Sequence, residues 1–132
     1  VDLPMEGSWE DQLIHDTKFN KSRLSDSTEK ANKALLHYKV LMTLDHYRIL
    51  EIQTETGRFH QIRAQLSSRN MPIKGDVKYG ARRANKDRSI GLHAWQLVWQ
   101  HHKTHQLMKW SVDPPDIDVW KTFNLEFKSN PL

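Results

Sequence analysis

No cysteine occurs in the 132 residues. That excludes disulfides, thiol nucleophiles and cysteine-based zinc sites, and it fits a reducing compartment. No apolar run approaches the roughly 18 residues that a membrane-spanning helix needs, so no membrane partner is expected. No signal peptide is visible, and there is neither an internal repeat nor a low-complexity tract. A Gly-rich phosphate loop and a Ser-His-Asp order are also missing. These absences lead to the expectation of a cytoplasmic chain. Its length suits one compact domain with a modest core. It opens on Val1 rather than methionine, which fits a processed or excised piece.

What is present is unevenly placed charge. The net charge of +4 is mild, but residues 58 to 88 hold nine Lys/Arg against two acids, Asp76 and Asp87. Outside that stretch eleven basic residues meet fourteen acidic ones. A basic block of this kind points to a polyanion, most simply nucleic acid; chance clustering on a solvated surface is the plainer alternative.

Apolar periodicity gives the architecture. Residues 1–32 read as a polar lead-in and connector, with "LPMEGSW" as a turn. Residues 35–44 alternate, with Leu36, Tyr38, Val40, Met42 and Leu44 on one face, and "YRILEIQTE" reads as the return strand. Thr56-Gly57 breaks that strand and can open a helix running to about Ser68. Gly75-Asp76 reads as a turn between short extended pieces, and 81–89 as a basic loop or short helix. Residues 90–99 and "HQLMKWSV" read as strands joined through "HHKT". "DIDVWKTF" reads as a short helix or a packed tail. The fold class expected is α+β, a largely antiparallel or mixed sheet with one main helix, and a motif-bearing core over 35–112. Such a sheet is thin, with little to cover its second face.

The segment "TGRFHQIRAQL" carries Arg58, His60, Gln61 and Arg63 and no acid. At about 100° per residue, Phe59, Ile62 and Leu66 share one stripe and Arg63 falls at its margin. Arg63 then either lays its stem on the apolar surface and lifts its head into water, or turns into a cleft and meets an acid or a phosphate. The second arrangement requires an anion from elsewhere, and the planar fork of arginine suits a carboxylate or phosphate. Free N–H groups at a helix start near Gly57 and Arg58 would add to an anion site. "HHKTH" (His101, His102, His105) is the densest histidine group, but its turn placement and lack of a nearby acid speak against a metal. Trp95, Trp99 and Trp110 at strand spacing read mainly as packing.

Three motifs in register resemble those of the ribosomal-large-subunit (RluA-type) RNA pseudouridine synthases: Gly57-Arg58-Phe59-His60-Gln61-Ile62-Arg63, then Pro72-Ile73-Lys74-Gly75-Asp76-Val77-Lys78-Tyr79-Gly80, then Leu92-His93-Ala94. The resemblance covers about residues 50 to 100. It implies the C-terminal part of a catalytic domain that isomerises uridine to pseudouridine in rRNA, or in tRNA, with no cofactor and no metal. It implies that Arg63 pairs with a catalytic aspartate carried by an upstream H-R-L-D-x-x-T-S-G motif. It also implies that Arg58 and His60 line the same cleft. Gln61, Lys74, Tyr79 and His93 complete the expected RNA-binding set, His93 reading also as a packed strand histidine, and Lys78, Arg82, Arg83, Lys86 and Arg88 are expected from their charge to contact phosphates, with solvated loop charge as the alternative. That aspartate motif is absent from this sequence. The nearest string, "SRLSDST" from Ser22 to Thr28, has an extra serine before Asp26 and lacks the preceding histidine. The chain alone is therefore expected to be inactive, the parent protein being the enzyme; a non-catalytic RNA-binding module is the alternative. No feature of the sequence fixes an oligomeric state.

Overall fold

The computed structural model describes residues 2–26 and 30–127, so the last two residues of "SRLSDST" lie outside the described residues. The described chain forms two compact units, divided between Gly91 and Leu92.

In the first unit β1 (Glu6–Asp16), β2 (Lys21–Leu24), β3 (Asn32–Thr43) and β4 (Arg48–Thr54) make an antiparallel sheet in the order β2-β1-β3-β4. The expected hairpin over 35–55 is β3 and β4. The expected lead-in is not one: eleven of its residues form β1, a central strand. Its inward positions are Gly7, Trp9, Asp11 and Leu13, too mixed for an apolar alternation to show. Gly7 is required there, because a Cβ would stand 2.9 Å from Tyr38 Cε1.

One face of β3, Ala34-Leu36-Tyr38-Val40, is buried. Leu36, Tyr38 and Val40 pack with Trp9, Leu50, Ile52 and Ile62. Leu13 and Ala34 pack with Ala64 and Tyr79. Each large apolar side chain so buried contributes about 1.5–3 kcal/mol. A register shift between Val40 and Met42 ends the clean alternation, which is why Met42 and Leu44 are only half-buried. The opposite face carries a polar cluster: His37 on β3 meets Ser8 Oγ at 2.6 Å and Glu55 at 3.1 Å.

Helix α1 (Gln61–Ser67) covers the buried face. It starts later than the sequence suggests, because His60 sits in the left-handed region at φ 50°. Phe59 therefore precedes the helix and is not buried by it. After α1 comes a one-turn 3-10 helix, Val77–Tyr79, in place of the expected extended piece.

The second unit holds β5 (Gln96–Gln100) and β6 (Leu107–Ser111), an antiparallel pair, and α2 (Val119–Phe127). Residues 90–95 are irregular, so His93 and Trp95 do not lie in a strand as expected. Trp95 packs edge-on against Phe123, and Trp99 against Trp110. Leu97, Val98, Leu107 and Trp110 remain exposed. The architecture is α+β with antiparallel sheets, as expected. The 35–112 core, however, is shared between the two units.

Candidate functional site

The site is assembled where the chain leaves β4 and enters α1. Thr56 Oγ1 accepts from Leu35 N (3.0 Å) and donates to Gln61 Oε1 (2.8 Å). Gln61 Oε1 also accepts from Arg58 N (3.0 Å), and its Nε2 donates to Leu35 O (3.2 Å). Gln61 is buried. Its amide thus satisfies the turn and ties it to β3, a structural role beside the RNA contact that the sequence suggested. The Arg58 N–H is already committed to Gln61 and is not free for the anion site expected at a helix start near Gly57. Arg58 itself is exposed and holds Lys33 O through Nε at 2.8 Å.

Arg63, on α1, grips Asp76 with two parallel hydrogen bonds, Nε to Oδ2 at 2.9 Å and Nη2 to Oδ1 at 2.7 Å. The Arg63 side chain is 19 % exposed and Asp76 1 %. The guanidinium also lies 4.6 Å from the centre of the Tyr79 ring. Its stem is therefore not lifting a free head into water. The acid it meets here stands 13 residues downstream, outside the 56–66 segment, in the Gly75-Asp76 turn; it is a different acid from the upstream aspartate that the resemblance implies. The Asp76 hydrogen bonds raise the Arg63 pKa above its already high ordinary value.

Arg63 Nη1 reaches His60 Nε2 at 3.2 Å. A guanidinium has only hydrogens to offer, so this ring nitrogen accepts. The proton then sits on Nδ1 and is donated to Tyr79 Oη, 2.8 Å away. Tyr79 Oη accepts a second bond from Ser22 N at 2.9 Å. His60 is thereby held neutral in one tautomer. Burial, then the positive charges of Arg63 and Lys78, push its pKa below the ordinary value. Burial raises that of Tyr79. Tyr79 is buried and acts as the hub of this network rather than as an open contact.

Several contributors were not legible in the sequence. Lys21 Nζ stands 5.0 Å from the Tyr79 ring. Ser22 Oγ donates to Phe59 O. Phe59 is sandwiched between His15 and His60, with centroid separations of 3.9 Å on each side. Only Asp76 had a readable signal, being one of two acids in the basic stretch.

The basic loop is ordered from beneath. Lys74 Nζ donates to Asn85 Oδ1 (2.6 Å), and Asn85 Nδ2 donates to Ser89 O (2.9 Å). Gly75 has φ +85°, and a Cβ there would lie 2.5 Å from Asn85 Nδ2. Lys74 is thus a loop anchor. Lys78, Arg82, Arg83, Lys86 and Arg88 are exposed. Arg82 joins Ser67, Asn70, Pro72, Tyr79 and Gly80 around a depression of about 370 Å³. His93 belongs to the second unit, where it meets Val112 O at 2.6 Å. In "HHKTH", His101 Nδ1 accepts from Lys103 N and Thr104 N, both at 3.2 Å. Among the described residues no three His, Asp or Glu side chains are grouped to hold a metal ion, and no helix is long and apolar enough to cross a membrane.

The family profile described as RNA pseudouridylate synthase matches residues 4–68. The ribosomal large subunit pseudouridine synthase D of Borreliella burgdorferi is 35% identical over 88 residues, covering 66% of this chain and 27% of that protein. The protein of the same name from Neisseria meningitidis is 29% identical over 125 residues, covering 86% of this chain and 33% of the relative. A Bacillus subtilis RNA pseudouridine synthase is 33% identical over 89 residues, covering 67% and 29%. The chain thus spans about a third or less of these relatives. The solved human RNA pseudouridylate synthase domain containing 1 superposes with a TM-score of 0.70 at 20% identity, over 88% of this chain and 51% of that one; this likeness speaks for the fold alone.

Proposed function

The chain belongs to the RNA pseudouridylate synthase family, and we propose from that premise that it forms the arginine-bearing wall of a cleft that isomerises uridine to pseudouridine in RNA. Ribosomal RNA is the first substrate class to test and transfer RNA the second. The reaction breaks the N1–C1′ bond, turns the uracil and joins C5 to C1′. The C5 hydrogen leaves as a proton and N1 gains one, so atoms balance with no oxidation and no cofactor. The nucleotide must leave its stack to be reached. The nucleophile or base is an aspartate supplied by a segment outside this chain.

The observation that carries this reading is the unequal use of Arg63. Asp76 occupies the Nε–Nη2 edge, while the Nη1–Nη2 edge faces no acid among the described residues. A second carboxylate fits that edge and would be held ionised and aimed by it. Lys78, Arg82, Arg83, Lys86 and Arg88 supply an exposed cationic track for phosphates. Gln61, Tyr79 and Lys74 position the wall from within.

A second reading, a non-catalytic RNA-binding module, is favoured by the same ion pair: Asp76 already neutralises Arg63, so burial of the arginine requires no further acid. The two readings separate in an assay of C5-hydrogen release from RNA by the full gene product. Arg63→Lys keeps a charge beside Asp76 but loses the fork. In the enzyme it lowers release about a hundredfold or more while RNA affinity stays near wild type. Full release by the lysine variant overturns the assigned role, and no release by the wild-type product leaves the binding module.

A further inference from the structure

The turn joining β1 to β2 carries an aromatic side chain that the fold does not require. Asp16 makes the turn: its Oδ1 accepts from Lys18 N at 3.1 Å and Phe19 N at 3.4 Å. Asn20 closes it at φ 49°. Turn chemistry of this kind asks for Asp and Asn, not for phenylalanine at the tip. Phe19 is nonetheless 64 % exposed, with Lys18 Nζ 5.4 Å from its ring centre. A ring left this exposed gains little from folding.

The same hairpin begins a ring stack. His15 lies 3.9 Å from Phe59 at 25°, and Phe59 lies 3.9 Å from His60 at 22°. The inner ring, His60, belongs to the Arg63 network, and the outer ring, His15, is exposed. His15 Nε2 stands 3.4 Å from Asn20 Oδ1 in the turn itself. Phe59 keeps 37 % of its surface open although rings cover both faces.

The charge around these rings is one-sided. Residues 15–23 hold Lys18, Lys21 and Arg23 against Asp16 alone. Asp16 is engaged by the turn, and Arg23 Nε lies 3.8 Å from its Oδ2. Exposed rings interleaved with cations are what single-stranded nucleic acid uses: bases stack on the rings while phosphates meet the cations. The buried centre of a protein interface is instead depleted in charge.

We propose that the tip of the β1–β2 hairpin, Phe19 together with the exposed end of the His15–Phe59–His60 stack, is a base-stacking platform for single-stranded RNA flanking the nucleotide at Arg63. Lys18 and Lys21 meet its phosphates. The inference rests on the RNA reading above and adds where the flanking strand lies. The test is titration of the 132-residue chain with a single-stranded uridine oligomer and with an abasic ribose-phosphate oligomer of equal length. Phe19→Ala weakens binding of the uridine oligomer about fivefold or more and leaves the abasic oligomer unchanged. Phe19→Trp retains affinity, and its fluorescence is quenched on binding. A wild-type chain that binds while Phe19→Ala has no effect, or has equal effect on both oligomers, overturns the platform alone. A wild-type chain with no affinity for either overturns the RNA reading together with the platform.

Discussion

Two arginines six positions apart meet two aspartates at the two ends of one short helix, and they do so differently. Arg69, just past α1, faces Asp11 on β1 through Nη1 (2.7 Å) and Nη2 (3.3 Å) and lies 4.4 Å from the Trp9 ring centre. Its Nη1 also reaches Gln65 O at 3.0 Å and Ser68 Oγ at 3.3 Å. That pair spans 58 residues and pins the helix to the sheet. Arg63 presents its other edge to Asp76 and touches only a neutral histidine with Nη1. The same residue types, each over an aromatic ring, make a closed brace in one place and a half-occupied fork in the other. Edge choice, not charge, separates them.

Removing either arginine sharpens the contrast. Arg63→Ala strands a fully buried carboxylate and costs about 3–5 kcal/mol, read as a loss in urea-unfolding free energy. Arg69→Ala leaves a partly solvated acid and costs about 2 kcal/mol; a loss equal to that of Arg63→Ala would erase the distinction. Tyr79→Phe comes next, about 1–2 kcal/mol, because Ser22 N–H and His60 Nδ1–H lose their acceptor.

A smaller effect follows from His60. Its folded pKa lies below the unfolded value near 6.5, so the unfolded chain binds the proton first. The contribution is complete above about pH 6.5 and is lost as the pH falls through that value toward the lowered one. His60→Gln flattens this limb of the urea midpoint, and an unchanged limb would assign it to another group. Smallest for stability is Arg82→Glu with Arg83→Glu, within about 0.5 kcal/mol. It nonetheless weakens RNA binding and reduces the salt slope.

The β3–β4 hairpin was legible because Leu36, Tyr38 and Val40 alternate without interruption. The marginal position of Arg63 was legible from helical phase. β1 was not, because Asp11 and Gly7 occupy inward positions that only Arg69, Gln65 and Tyr38 make sensible. The helix start is not legible because a side-chain amide, Gln61, and a left-handed histidine set it rather than propensity. The Asp76 partner of Arg63 is not legible because it reaches the guanidinium from a glycine turn 13 residues downstream, through a tertiary contact. Lys21, Ser22 and Phe59 reach the site through tertiary contacts that leave no local pattern.

Ser22 has a mechanical consequence. Its N–H is fastened to Tyr79 Oη and its hydroxyl to the carbonyl of Phe59, so β2 is riveted at two points to the groups that flank His60. One residue of β2 thus fixes both a side chain and a backbone carbonyl of the site, so a change in the Ser22 backbone is felt at Tyr79 and at Phe59 together.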